Sequence, residues 1–174
     1  MTIQKITLAT QLHVGRNLDL SKILEVKNPI GDRAKPNGGF WTSTYIDEKV
    51  GSEFFDKFIS DNDWYILEPL EADIFVVENI FDVEYLLKFY GRPNTAGNET
   101  FIDFEKLSKK FDALQLKSSC FATDSSVKIL DLYNQKLNIH NSNRHPFHQW
   151  WAESTLWFCN KFKSVIKIQR AIKK

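Results

Sequence analysis

Apolar and polar positions alternate along residues 5–14, KITLATQLHV. Ile6, Leu8, Leu12 and Val14 fall on one side, and Thr7, Gln11 and His13 on the other, which predicts a half-buried strand. A short helix through Leu20, Ile23 and Leu24 follows, capped by Asn17 or Asp19. Residues 28–39, NPIGDRAKPNGG, are dense in turn formers and read as a loop. FWTSTYI, 40–46, is β-branched and aromatic, as strands are. SEFFDKFISD places apolar residues at 54, 55, 58 and 59 behind a Ser52 cap, the pattern of an amphipathic helix. WYILEPLE and DIFVVE read as two strands. DVEYLLKFYG reads as a helix from Asp82 to Gly91, and DFEKLSKKF as one capped by Asp103. ALQL is a short strand. Residues 117–149 carry little periodicity; a helix around 126–137 and a polar, His-bearing loop are expected there. WWAESTLWF, 150–158, and SVIKIQRAI, 164–172, complete the strands. Strands that do not alternate strictly with helices predict an α+β fold. The expectation is a single domain over 1–174 with a mixed or antiparallel sheet and flanking helices, 117–149 being an insert or recognition loop. Leu8, Leu12, Phe55, Phe58, Ile74, Val76, Leu86, Leu156 and Phe158 are the expected core.

Composition narrows the class. A chain of 174 residues with 43% hydrophobic and 26% charged residues can build a core of its own. No apolar run approaches the eighteen or so residues of a membrane span. The opening MTIQKITLAT lacks a signal-peptide apolar stretch, so a cytoplasmic location without membrane contact is expected. Cys120 and Cys159 are the only cysteines, which excludes a disulfide scaffold or a zinc finger and suits a reducing compartment.

The formal net charge of +1 is no global signature of nucleic-acid binding. After Glu153, however, no acid occurs, while Lys161, Lys163, Lys167, Arg170, Lys173 and Lys174 do. Such a tail is a solvated end or a contact for nucleic-acid phosphates. Aromatic residues make up 14% of the chain, with five Trp and fourteen Phe, enough for a thick core and a flat-walled pocket.

Phosphate-binding loops, dinucleotide fingerprints, HExxH and GxSxG are all absent. His140, His145 and His148 form a histidine tract without an Asp, Glu or Cys inside it, so a polar loop is favoured and no metal is expected. Three strands carry more chemistry. His13 lies on the polar face of the first, just before Gly15 and Arg16. Trp41, Ser43 and Tyr45 share a face of the second. In the late strand Ala152, Leu156 and Phe158 make the natural core side, leaving Trp151, Glu153, Thr155 and Trp157 opposite. A carboxylate between two tryptophans suits the floor of a cleft; the alternative is a charged gatekeeper on an edge strand.

These islands, LHVGR, GGFWTST and WWAESTLWF in that order, resemble the mono-ADP-ribosyltransferase superfamily, in particular small toxin- or phage-type members. The resemblance implies a split-sheet α+β fold and NAD as substrate. It implies that His13, with Arg16 as a rival, grips the NAD ribose, that Ser43 shapes the nicotinamide pocket, and that Glu153 supports transfer. Gly15, Arg16, Trp41, Thr42, Ser43 and Tyr45 would join His13 around NAD, with Trp41 or Tyr45 stacking on the nicotinamide and Arg16 or Arg33 meeting the pyrophosphate. The Glu-x-Glu pair of arginine-modifying members is absent, because position 151 is Trp. The acceptor would be a protein or, through the basic tail, a nucleic acid, and a toxin of this kind would have an antitoxin partner. Two other readings stand beside it: a non-catalytic, aromatic-lined binding module, and an NAD glycohydrolase on the same fold.

Overall fold

The computed structural model describes residues 5–30, 33–54, 62–93, 100–121, 128–130, 133–134, 136–137, 145–150 and 152–168. In chain order its elements are β1 (Lys5–Ile6), β2 (Gln11–Gly15), β3 (Phe40–Thr44), β4 (Asp63–Pro69), β5 (Ala72–Val77), α1 (Ile80–Tyr90), β6 (Gly91–Pro93), β7 (Thr100–Ile102), α2 (Phe104–Ser108), β8 (Ala113–Leu116), β9 (Ile129–Leu130), β10 (Lys136–Leu137), β11 (Ser154–Trp157) and β12 (Phe162–Ile168). Eight of the strands form one sheet in the order β1-β5-β8-β11-β3-β2-β4-β12, antiparallel except for the parallel pair β5–β8. The α+β expectation holds. No helix among the described residues is long and apolar enough to cross a membrane.

The sheet curls because several strands run on from one half into the other. β4 passes into β5 through residues 70–71, and β11 into β12 through 158–161. The two crossings are tied together where Leu70 N–H donates to the Lys161 carbonyl at 2.7 Å. The inner face of the curl is closed by Phe40, Tyr65, Leu67, Ala72, Ile74, Ala113 and Trp157. The outer face of β5, β8 and β11 carries the larger core, in which Leu114, Leu116 and Leu156 meet Val83, Leu86 and Leu87 of α1, Phe104 of α2, and Phe147 and Trp150. Both faces of β11 are therefore buried, and the division of that strand into a core side and an open side does not hold.

Helix ends follow local chemistry. α1 starts one turn earlier than the sequence pattern suggests: Asn79 caps it and Asp82 returns the bond as the other half of a capping box. Gly91 ends it and Asp103 caps α2, as expected. Leu20–Lys22 is a single 3-10 turn capped by Asp19. Gly39 enters β3 with φ +68°, and a Cβ there would come within 2.4 Å of Leu156 Cδ1, so only glycine fits.

Three expectations change. The strand over 5–14 is two, β1 and β2, because residues 7–10 carry the chain from one end of the sheet to its middle. Ile6 and Leu8 consequently pack in the inner cluster, whereas Leu12 belongs to the outer face with Ser43. The helix around 126–137 is replaced, in its described part, by the antiparallel ribbon of β9 and β10. Of the expected core, Leu12, Ile74, Leu86 and Leu156 are buried, and Leu8, Val76 and Phe158 partly so. Phe55, Phe58 and most of the helix expected behind Ser52 lie outside the described residues.

Candidate functional site

Register decides which side chains can meet. Residues directly opposite one another in a ladder share a face. Gln11 opposes Thr44, and Thr155 opposes both Thr42 and Gln115. His13, Thr42, Thr44, Gln115, Thr155 and Trp157 thus project from the inner face, while Leu12, Trp41, Ser43, Ser154 and Leu156 project from the outer one.

Glu153, immediately before β11, joins the inner set. Its carboxylate accepts hydrogen bonds from Thr44 N–H at 2.8 Å, Thr44 Oγ1 at 3.0 Å and Gln115 Nε2 at 3.0 Å. A short polar network continues beside it: Trp157 Nε1 donates to Thr42 Oγ1, which donates to Gln11 Oε1. Among the described residues Gln115 Oε1 and Thr155 Oγ1 are buried without a hydrogen-bond partner. Glu153 is only 6% exposed, yet it lines a surface recess of ≈ 370 Å³ with Thr44, Ile46, Glu53, Lys117, Ser118 and Ser119. Glu53 is held there by the Ser118 hydroxyl.

His13 is fixed at the point where β2 and β3 part. The two strands pair only at Gln11–Thr44 and Leu12–Ser43; beyond that β2 follows β4 and β3 follows β11. His13 Nδ1 lies 2.9 Å from the Trp41 carbonyl. A carbonyl can only accept, so Nδ1 carries the proton and Nε2 the lone pair. The ring packs against Phe40 and Tyr65. Burial pushes the imidazole pKa below its ordinary 6.5, and the bond to Trp41 opposes that only in part. Gly15 leaves room for the ring: a Cβ there would lie 2.9 Å from His13 Nε2.

The expected convergence of His13, Ser43 and Glu153 is thus not what the strands produce. His13 and Glu153 share the inner face, but Ser43 points away and donates to Ser52 Oγ. The side chain that meets Glu153 is Thr44, one residue on. His13, Trp41, Thr42 and Ser43 border a second recess, in the gap between β2 and β3, and Glu153 borders the first. Gly15 ends β2 and Arg16 is exposed beyond it, its carbonyl accepting from Tyr65 Oη. Tyr45 borders neither recess; its N–H donates to the Thr10 carbonyl. Arg33 is exposed, and Trp151 lies outside the described residues.

Neither cysteine is set up as a nucleophile. Burial pushes the Cys120 thiol up to about 12, and burial and then Asp112 push Cys159 to about 11. His145 is buried and its Nδ1 accepts from Phe147 N–H, while His140 lies outside the described residues. Among the described residues no group of three His, Cys, Asp or Glu side chains is placed to hold a metal ion. Comparison with known proteins gave no match to a family model, a curated protein or a solved structure.

Proposed function

We propose that the chain is an NAD-dependent ADP-ribosyltransferase acting on a macromolecular acceptor, with Glu153 at the reacting end of its site. The observation that carries this reading is the hold of Thr44 on Glu153, a late-strand carboxylate gripped by the Thr/Ser-rich strand in a recess open to solvent. NAD supplies a glycosidic bond whose cleavage leaves nicotinamide and builds positive charge on the ribose. A single fixed carboxylate suits that charge, because its hydrogen bonds hold it in place before the reaction begins. Glu153 therefore orients a ribose hydroxyl and stabilises the developing charge, as carboxylates do in glycoside cleavage. Gln115 Oε1 and Thr155 Oγ1 offer unused polar capacity beside it. His13, on the same face, is a neutral imidazole that positions the donor. Trp41 and Ser43, on the other face, take no part at that end.

A second reading rests on the same carboxylate. Three hydrogen bonds at 6% exposure are also what a structural carboxylate needs, which favours a binding module without turnover. Incubation with NAD labelled in the adenylate separates the two, using protein and nucleic-acid fractions as acceptors. Label carried onto a macromolecule is the expected result. Release of free ADP-ribose alone would make the protein a glycohydrolase, and intact NAD would leave the binding module.

A further inference from the structure

The gap between β2 and β3 contains a cation, Lys35, that the Glu153 reaction does not use. Its recess, of ≈ 140 Å³, is bordered by Leu12, Trp41, Ser43 and Ser154 from the outer face and by His13 and Thr42 from the inner one, and not by Glu153. Leu12, Trp41 and Phe54 form apolar walls, and Lys35 enters from the loop before β3. Lys35 Nζ stands 5.4 Å from the centre of the Trp41 ring and 5.9 Å from that of Phe54. Among the described residues no carboxylate lies within salt-bridge distance of it; exposed lysines such as Lys49, Lys88 and Lys163 lack one too, but Lys35 is half-buried. The aromatic faces compensate only part of the charge, since a cation over a ring gains less than a cation beside an anion.

We propose that this recess binds a small planar anion, a single flat apolar ring carrying an acidic group, with Lys35 as its counter-charge. The ring finds Trp41 and Phe54 as flat walls, and the acidic group reaches the ammonium that stands over them. Size restricts the ligand: the recess is well below the several hundred Å³ of sites for drug-sized molecules. Burial supports the same assignment, for it is the sole cause that lowers the Lys35 pKa, and no neighbouring acid raises it. A bound anion would remove that penalty. The proposal does not require the NAD reading, because Glu153 and Thr44 do not border this recess; His13 does, and the two readings share that one residue.

Calorimetric titration of the whole chain with benzoate, and with neutral benzamide of the same shape, tests it. A ligand of this size binds in about the millimolar range. Benzoate is expected to bind at least about tenfold more tightly than benzamide. In Lys35→Met that preference is lost, in Lys35→Arg it is kept, and in Glu153→Gln benzoate binding is unchanged. Equal affinity for acid and amide, no binding of benzoate, or a Lys35→Met protein that keeps the preference would overturn the site. The comparison of the two ligands on the unmodified protein stands even if a variant fails to fold. NAD turnover in Lys35→Met is expected at the unmodified rate, so loss of this site and loss of the transferase reading give different results.

Discussion

Thr44 donates to Glu153 twice, from its backbone N–H at 2.8 Å and its hydroxyl at 3.0 Å, and so locks the carboxylate to the middle of the sheet. Thr44→Val keeps the branched shape and the N–H and removes one donor. Hydrogen bonds to charged groups contribute about 1.5–3 kcal/mol, so unfolding free energy should drop by about that much in a denaturant titration. If Glu153 acts on NAD, turnover should also fall while NAD binding holds.

Glu153→Gln tests the carboxylate itself. Turnover should drop by about 10²–10³, the range for losing a fixed electrostatic group, with little change in NAD affinity. Stability should decline too, by about 1–3 kcal/mol. Glutamine has a single acceptor oxygen where the carboxylate has two, so the charge-assisted bonds are lost and Gln115 must turn its amide to offer Oε1 to the new NH₂. Turnover at the unmodified rate with stability reduced would assign Glu153 to structure alone.

His13 should make stability fall in mild acid. Burial lowers its native pKa below 6.5, while the unfolded chain titrates near that value. Below 6.5 the unfolded state therefore binds more protons than the native one, and stability rises with pH there. His13's contribution is complete above 6.5 and is lost as pH falls through the lowered native value. The gap between the melting temperatures of the unmodified protein and His13→Gln should narrow as pH falls below 6.5, the variant having the flatter acid limb.

Leu156, on β11, is fully buried in the cluster that also holds Val83, Leu86 and Leu87 of α1. Leu156→Ala should cost about 2–5 kcal/mol by thermal or denaturant unfolding. A melting curve that does not move would contradict the packing of β11 on the helices.

Alternation along the sequence is informative about which residues of a strand share a face, and much less so about what that face meets. Trp41 and Ser43 do share one, and His13 and Glu153 do project from a common side of the sheet. The side on which β3 meets Glu153 depends on register with β11, Glu153 being 109 residues from Thr44 along the chain, and no local signal encodes it. Serine is also the chemically attractive choice in FWTST, and here its hydroxyl is occupied by Ser52. β1 and β2 read as one strand because a crossing segment can keep the same two-residue rhythm as the strands it joins. Lys35 escapes notice for another reason. Among turn formers a lysine looks solvated, and only folding brings Phe54 and Trp41 beneath it. Caps, by contrast, are written locally, and Asp103 and Gly91 are where the pattern places them.

The opening between β2 and β3 divides the sheet into β2-β4-β12 and β1-β5-β8-β11-β3, joined side by side through two residue pairs. Neither part is continuous in the chain. The polypeptide passes from one to the other at β1–β2, β2–β3, β3–β4, β4–β5 and β11–β12. A nascent chain consequently cannot complete the smaller part until β12, near the C-terminal end of the sequence, has been synthesised. Pairing of β12 with β4 closes a loop of roughly a hundred residues, and such distant closures make folding slow, on the order of milliseconds to seconds. Until then β4 presents an unpaired edge carrying Trp64, Ile66 and Leu67, which makes the interval before β12 arrives the stage of biosynthesis most exposed to aggregation.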